Sequence, residues 1–295
     1  MKHILSTALL AIAATVLTSE FRPVLAQAPT IDFPKPSPKS TLKDQVGLAS
    51  VEIEYSRPSM KGRKIFGGLV PMGEVWRTGA NDATKVTLGA EVTFGGQTVP
   101  AGTYALFTIP DEKEWTVILN KVSGQWGSYA YDAKNDQVRV KVAPMRTAEP
   151  VETMTIAIGE MKDDGANLTI SWESTKVSVR IHNDVVKVIV PQIEAAMASD
   201  GKKPYFPAAM FYYEHNLDLK KALAWIDEAV KEQPDAVWIV YRRGLIQAKA
   251  GDKSAALASA QQALAMAEKA LKDPKTANLG TEYKRLSEAL IATLK

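Results

Sequence analysis

The feature that most constrains this chain is a change of period near residue 183. From Ser50 to His182 apolar and polar residues alternate in twos, whereas beyond Asn183 apolar residues recur at threes and fours and Ala becomes frequent. A period of two sets one face of a strand against the other, and the longer period draws an apolar stripe along a helix. A run of strands followed by a run of helices puts β and α in separate domains.

Within the first part, Val51, Ile53 and Tyr55 alternate with Glu52, Glu54 and Ser56, and Val86, Leu88, Val92 and Phe94 share a side. The same holds for Val138, Val140 and Val142, for Met154, Ile156 and Ile158, for Leu168, Ile170 and Trp172, and for Val177, Val179 and Ile181. Turn residues separate them at Gly95-Gly96, Pro100-Ala101-Gly102, Pro110-Asp111 and Asp163-Asp164-Gly165. About eight strands with short connections and no helical period between them predict an all-β, antiparallel sandwich or jelly-roll-like domain.

The second part repeats itself. Asp218, Ala222, Leu223 and Ala229 return as Asp252, Ala256, Leu257 and Ala263, each displaced by the 34 residues of a tetratricopeptide repeat. Pro234 ends the first unit where that motif places Pro, but Glu268 stands at the second such place and the early Trp is missing, so the units are degenerate. A closing helix over 281–294 is expected to cover the last exposed face. Tyr205, Phe206, Phe211, Tyr212, Tyr213, Trp225, Trp238 and Tyr241 are expected mainly to fill the space between helices. The small helical, tetratricopeptide-like domain is read as a packing or protein-interaction module.

The start of the chain speaks to compartment. Lys2 and His3 precede an apolar run from Ile4 to Leu17, and Val24-Leu25-Ala26 fits signal-peptidase cleavage after Ala26. The run is short for a membrane span, which takes about 20 residues, so no stable span is expected after cleavage. Pro29, Pro34, Pro36 and Pro38 then mark an extended tether. The expected layout is a signal peptide at 1–26, a Pro-rich tether at 27–42, a β-domain at 43–182 and helices at 183–295, in a periplasmic or secreted protein. With no Cys, neither a disulfide framework nor a lipid-modified Cys is available. Charge is nearly balanced once the leader is removed, which argues against nucleic acid as a partner.

The long stretch from Arg57 to Thr84 is rich in Gly and cationic residues, yet carries Ile65, Phe66, Leu69, Val70, Val75 and Trp76. A structureless loop of this length is uncommon in a compact domain, and this apolar content is more than a solvated linker carries. Two readings compete. Arg57, Lys61, Arg63, Arg77 and Asn81, beside Trp76 and flexible Gly positions, form a pocket for an acidic or sugar-like ligand, since guanidinium binds carboxylate or phosphate through paired hydrogen bonds. Alternatively the same donors satisfy carbonyls that an irregular segment leaves unpaired, a need worth about 1–3 kcal/mol per buried group. A second cluster, Trp126, Tyr129, Tyr131 and Asp132 with Gln125, suits a carbohydrate site or a wide hairpin whose aromatics pack across strands. If the two segments meet, the sugar reading gains.

Signatures of catalysis are sparse. Beyond the leader the His residues are His182 and His215, so a His-rich or thiolate metal site is not expected, and no cofactor motif is present. No nucleophile elbow or Ser-His-Asp set stands out. Glu74 and Asp132 offer a carboxylate pair for acid/base work on a glycan, as a hydrolase or lyase. The reading preferred over this, and over a scaffold acting through its helices, is a non-catalytic envelope module. It binds a saccharide or acidic small molecule, or a protein partner.

The motifs Val51-Glu52-Ile53-Glu54-Tyr55-Ser56-Arg57-Pro58-Ser59, Lys61-Gly62-Arg63-Lys64-Ile65-Phe66-Gly67 and Val75-Trp76-Arg77-Thr78-Gly79-Ala80-Asn81 come in one order with several more. These are Pro100-Ala101-Gly102-Thr103-Tyr104, Phe107-Thr108-Ile109-Pro110, Trp115-Thr116-Val117-Ile118-Leu119-Asn120-Lys121, Gln125-Trp126-Gly127 and Tyr131-Asp132. On these, residues 40–182 resemble the bacterial domain-of-unknown-function family 2911. The resemblance implies an exported bacterial protein, in some members with helical repeats behind the domain, and it carries no settled activity.

Overall fold

The computed structural model describes residues 33–295, and the signal peptide read at 1–26 lies outside them. Ten strands come first among the described residues: β1 (Lys39–Val46), β2 (Ala49–Ser56), β3 (Thr84–Leu88), β4 (Val92–Phe94), β5 (Gln97–Val99), β6 (Gly102–Ile109), β7 (Trp115–Asn120), β8 (Asp136–Val142), β9 (Met145–Lys162) and β10 (Gly165–His182). Six helices follow: α1 (Val185–Ala198), α2 (Tyr205–Glu214), α3 (Leu219–Glu232), α4 (Val237–Lys249), α5 (Lys253–Ala270) and α6 (Ala277–Leu294). The expected β-domain followed by a helical one is what forms.

The strands make two antiparallel sheets, ordered β1-β2-β3-β6-β7-β8 and β5-β4-β10-β9. Ile53, Val86, Leu106 and Leu119 of the long sheet meet Met154, Leu168, Ile170, Trp172 and Val179 of the short one in a single core. Two inner faces packed in this way define a sandwich. β1 pairs Lys39 through Val46 with Ser56 back to Ala49, so Lys39–Leu42 are strand where the composition suggested tether. As an edge strand β1 leaves most of its side chains exposed or half-exposed, which blurs the alternation that would have revealed it.

Two further strands hide their period for a different reason. Tyr104 to Thr108 in β6 and Val117 to Asn120 in β7 are buried consecutively. Their outward side chains, Ala105, Phe107 and Ile118, join Ala83 in a second small core, roofed by half-buried Val75, Ile109 and Tyr131. Strands covered on both faces read as continuous apolar runs. β10 is one strand where the pattern suggested two; register shifts on either side of Glu173, which has φ 54, break its alternation.

The outer edge of β9 is closed by the chain leaving β2. The Tyr55 hydroxyl donates to Ile156 O at 3.3 Å and accepts from Ile156 N at 3.0 Å. Met154 N then donates to Pro58 O at 2.9 Å, and Met60 N to Glu152 O at 2.8 Å. Residues 55–60 thereby supply partners that an exposed strand edge would otherwise take from another chain.

Asn183, only 4% exposed, joins strands to helices. Its side chain accepts from Leu48 N at 2.8 Å and donates to Glu91 O at 2.9 Å, while its own N donates to Asp164 O at 2.7 Å. Three turns of the sandwich thus converge on the residue that precedes α1. Beyond it, α2 pairs with α3, α4 with α5 and α5 with α6. Asp218 and Asp252 cap α3 and α5 by accepting from first-turn amides. The repeating Ala222, Ala229, Ala256 and Ala263 are all buried. A Cβ on Gly244 would stand 3.3 Å from Leu290 and 3.4 Å from the Ala256 carbonyl, so its lack lets α4 lie close to α5 and α6.

Asn183→Ala strands the Leu48 amide and the Glu91 carbonyl and is expected to lower stability by about 2 kcal/mol in urea unfolding. An unchanged midpoint would show that the junction does not depend on this side chain.

Candidate functional site

The segment from Arg57 to Thr84 is ordered by three anchors. First, Glu173 on the bulge of β10 accepts from Ile65 N at 3.2 Å and Phe66 N at 3.5 Å. Second, Phe66 enters an aromatic cluster, its ring centroid 4.8 Å from Trp115, 6.0 Å from Trp76 and 6.3 Å from Trp172. Third, Trp76 exchanges backbone hydrogen bonds with Thr108 at 2.8 and 2.9 Å. Trp76 thereby takes the place beside β6 that β3 leaves empty before Thr84.

Between Trp76 and Thr84 the chain leaves the sheet and returns. Thr84 N donates to Arg77 O at 3.2 Å and its hydroxyl to Thr78 O at 2.6 Å, closing the excursion at its base. Thr78 and Asn81 sit at φ 52 and 61, conformations costly for residues with a Cβ. Thr78 is held there by Thr108, their hydroxyls 3.1 Å apart, and Asn81 by donating to Ser56 Oγ at 3.3 Å.

The aromatic loop after β7 docks on this excursion. Ala83 N donates to Gln125 O at 2.9 Å, Gly127 N donates to Asn81 O at 3.1 Å, and Asp82 bridges Trp126 as in an antiparallel ladder. Buried side chains hold the loop from below. Gln125 donates to Val122 O at 2.7 Å, Asn120 donates to Asp132 O at 3.1 Å and to the Asp136 carboxylate at 2.8 Å, and Tyr131 donates to the other Asp136 oxygen at 2.7 Å. With its backbone fixed, the loop leaves Trp126 63% and Tyr129 84% exposed. Exposed large aromatics on an anchored loop have no packing role to explain them.

The sequence-derived site residues therefore fall into three places. Arg57 donates to Met154 O at 3.1 Å and to Thr155 Oγ1 at 2.9 Å, and Arg63 donates to Met60 O at 2.9 Å and Ser59 O at 2.6 Å, so both act as braces. Lys61 lies in the same stretch, its amide donating to Glu152 Oε1 at 2.9 Å. Trp76 faces inward, its ring stacked on Trp172 at 5.8 Å and its N–H donated to Gly79 O. Arg77, Asn81, Trp126 and Tyr129 come together on the docked loops. A Cβ on Gly127 would stand 2.7 Å from the Tyr129 ring and 3.0 Å from Arg77 Nη1, which puts guanidinium and phenol side by side. Arg77 Nε is buried without a hydrogen-bond partner. Asp132 stands at the far end of the loop, accepting from Lys134 N at 2.9 Å as the cap of a single helical turn.

Trp126 and Tyr129 stand on an exposed face. The hollow beside Asn81 and Ser56, bounded by Lys39, Glu54, Asp82 and Lys85, measures about 20 Å³. That is room for about one water. Among the described residues, no group of His, Cys, Asp and Glu is placed to hold a metal ion. Likewise, no described helix is long and apolar enough to cross a membrane.

Residues 37–181 match the family model described as Protein of unknown function (DUF2911). The match covers the sandwich, and the helices lie outside it. Neither a curated protein nor a solved structure matches the chain.

Two measurements check this geometry. Arg57→Ala is expected to cost about 1.5 kcal/mol by removing charged hydrogen bonds, while Arg77→Ala shifts stability by less than about 0.5 kcal/mol; the reverse order in urea unfolding would exchange brace and site. Burial, followed by the Asp136 carboxylate, pushes the Tyr131 phenol from its ordinary 10.0 up to about 12. The folded state then holds this proton more tightly than the unfolded one, so the stabilisation is full below pH 10 and is lost toward pH 12. Ultraviolet phenolate titration of Tyr131→Phe should lack one of the late-ionising phenols; loss of one that ionises near 10 would contradict the buried pair.

Proposed function

We propose that this is an exported, non-catalytic binding protein of the bacterial envelope, whose sandwich presents Trp126 and Tyr129 to a saccharide or acidic small molecule with Arg77 as the cationic partner. The observation that carries this reading is the union of the two loops, which leaves Trp126 and Tyr129 exposed and brings the Tyr129 ring and Arg77 Nη1 to the same side of Gly127. Rings of this kind stack on the apolar face of a sugar, and the guanidinium pairs with a carboxylate or with hydroxyl oxygens. Asn81 positions the loop through Gly127 and Ser56. Because Asp132 is committed to its cap and both it and Glu74 are exposed, the structure gives little support to a carboxylate-dependent hydrolase.

The N-terminal residues, with their leader-like pattern, support export to the periplasm or beyond. In the same reading the helices are two degenerate tetratricopeptide-like units, α2–α3 and α4–α5, closed by α6. Support comes from the caps at Asp218 and Asp252, 34 residues apart, and from the buried Ala at matched positions. The aromatics of this unit pack between its helices, which favours a packing role for it.

The test is a titration of neutral and carboxylated saccharides against the full chain. Trp126→Ala should weaken binding about tenfold with the unfolding midpoint kept, and Arg77→Ala should remove any preference for the carboxylated ligands. If neither class binds, or if both variants bind as the parent does, the proposal fails.

A further inference from the structure

Away from the aromatic loop, a groove of about 170 Å³ opens where the β8 to β9 connection crosses between the sheets. Phe66 and Trp115, 7% and 2% exposed, form part of its lining, together with Met72 and Met145. Asp111 and Glu112, in the turn between β6 and β7, also line the groove, as do Arg146 and Thr175, which face each other across the β9–β10 ladder. Among the described residues, Asp111, Glu112 and Arg146 enter no ion pair, although neighbouring Glu114 is taken by Lys141 at 2.7 Å. The groove thus combines an apolar lining with carboxylates from one turn and a guanidinium from another element.

We propose that this groove binds a free α-amino acid with an apolar side chain. Its ammonium group pairs with Asp111 and Glu112, its carboxylate with Arg146, and its side chain lies against Phe66, Trp115 and the two thioethers. The chemistry follows from the lining. Carboxylates select a cationic group, guanidinium selects a carboxylate through paired hydrogen bonds, and thioethers adapt to the outline of an apolar group. The volume is well below the roughly 300–1,000 Å³ of sites for drug-sized ligands. It therefore fits one small molecule.

Calorimetric titration of the full chain with L-leucine, L-methionine and L-phenylalanine tests this. At least one is expected to bind, with N-acetylation and carboxyl amidation each weakening it about tenfold or more. Arg146→Ala should abolish the penalty for amidation, and the double variant Asp111→Asn, Glu112→Gln the penalty for acetylation, both on proteins with unaltered unfolding midpoints. Trp126→Ala should bind the amino acid as the parent does, which separates this site from the aromatic face. No binding at millimolar ligand overturns the proposal. So do capped derivatives that bind as well as the free amino acid, and so does a short peptide that binds more tightly through one end.

Discussion

The exposed edge of β9 is the constraint around which the domain is arranged. A four-stranded sheet ending in an eighteen-residue strand offers a row of unpaired backbone groups, and such an edge invites association with other chains. Here the chain leaving β2 closes it between Glu152 and Ile156, using one phenol, the Met60 amide, the Pro58 carbonyl and the guanidinium of Arg57. The same contacts tie the two sheets together along one side, because Tyr55 belongs to the long sheet and Ile156 to the short one. Once residues 55–60 are committed to this edge, the chain must travel back to β3. The long segment is that return path.

Its course explains why the cationic residues part company. Near the edge there are carbonyls to satisfy, and Arg57 and Arg63 are used on them. In the middle the segment inserts Phe66 and stacks Trp76 on Trp172, which turns a loop by sequence into part of the core. After Trp76 the backbone needs of β6 have been met, and the chain makes a closed excursion before β3 starts. Arg77 falls on that excursion, where its Nε finds no protein acceptor. Brace and proposed binding face are consecutive parts of one path, so the two readings of the segment divide between different residues.

The fold was legible where one face of an element is covered and the other is wet. β2, β3 and β8 show plain alternation because their outer side chains meet solvent, and the helical part shows because apolar residues recur at threes and fours, buried Ala222, Ala229, Ala256 and Ala263 among them. β6 and β7 were obscured by the roof over Ala105, Phe107 and Ile118, and β10 by the register shifts at Glu173. Neither the roof nor the shift leaves a local trace, since both depend on residues dozens of positions away. Of the candidate site, the residue types were readable and their grouping was not. The bridge between Asp82 and Trp126 and the gathering of Asp111, Glu112 and Arg146 around one groove arise from long-range packing alone. Glu173, whose carboxylate holds the amides of Ile65 and Phe66, carried no sequence signal.

The rigidity of the aromatic face bears directly on how well the proposed site would hold a weak ligand. Stacking on a sugar yields little free energy per ring, and ordering a mobile side chain or loop on binding would consume much of it. Asn120, Gln125 and Asp136 remove that loss beforehand by fixing the loop from beneath, with Asn120 wholly buried and Gln125 5% exposed. Gly127 completes the arrangement at φ 68, where any side chain would push apart Tyr129 and Arg77. Its bare Cα lets the ring and the cation share one side of the loop. Buried polar contacts that look merely structural thus set the geometry of the loop that carries both exposed aromatics of the proposed site.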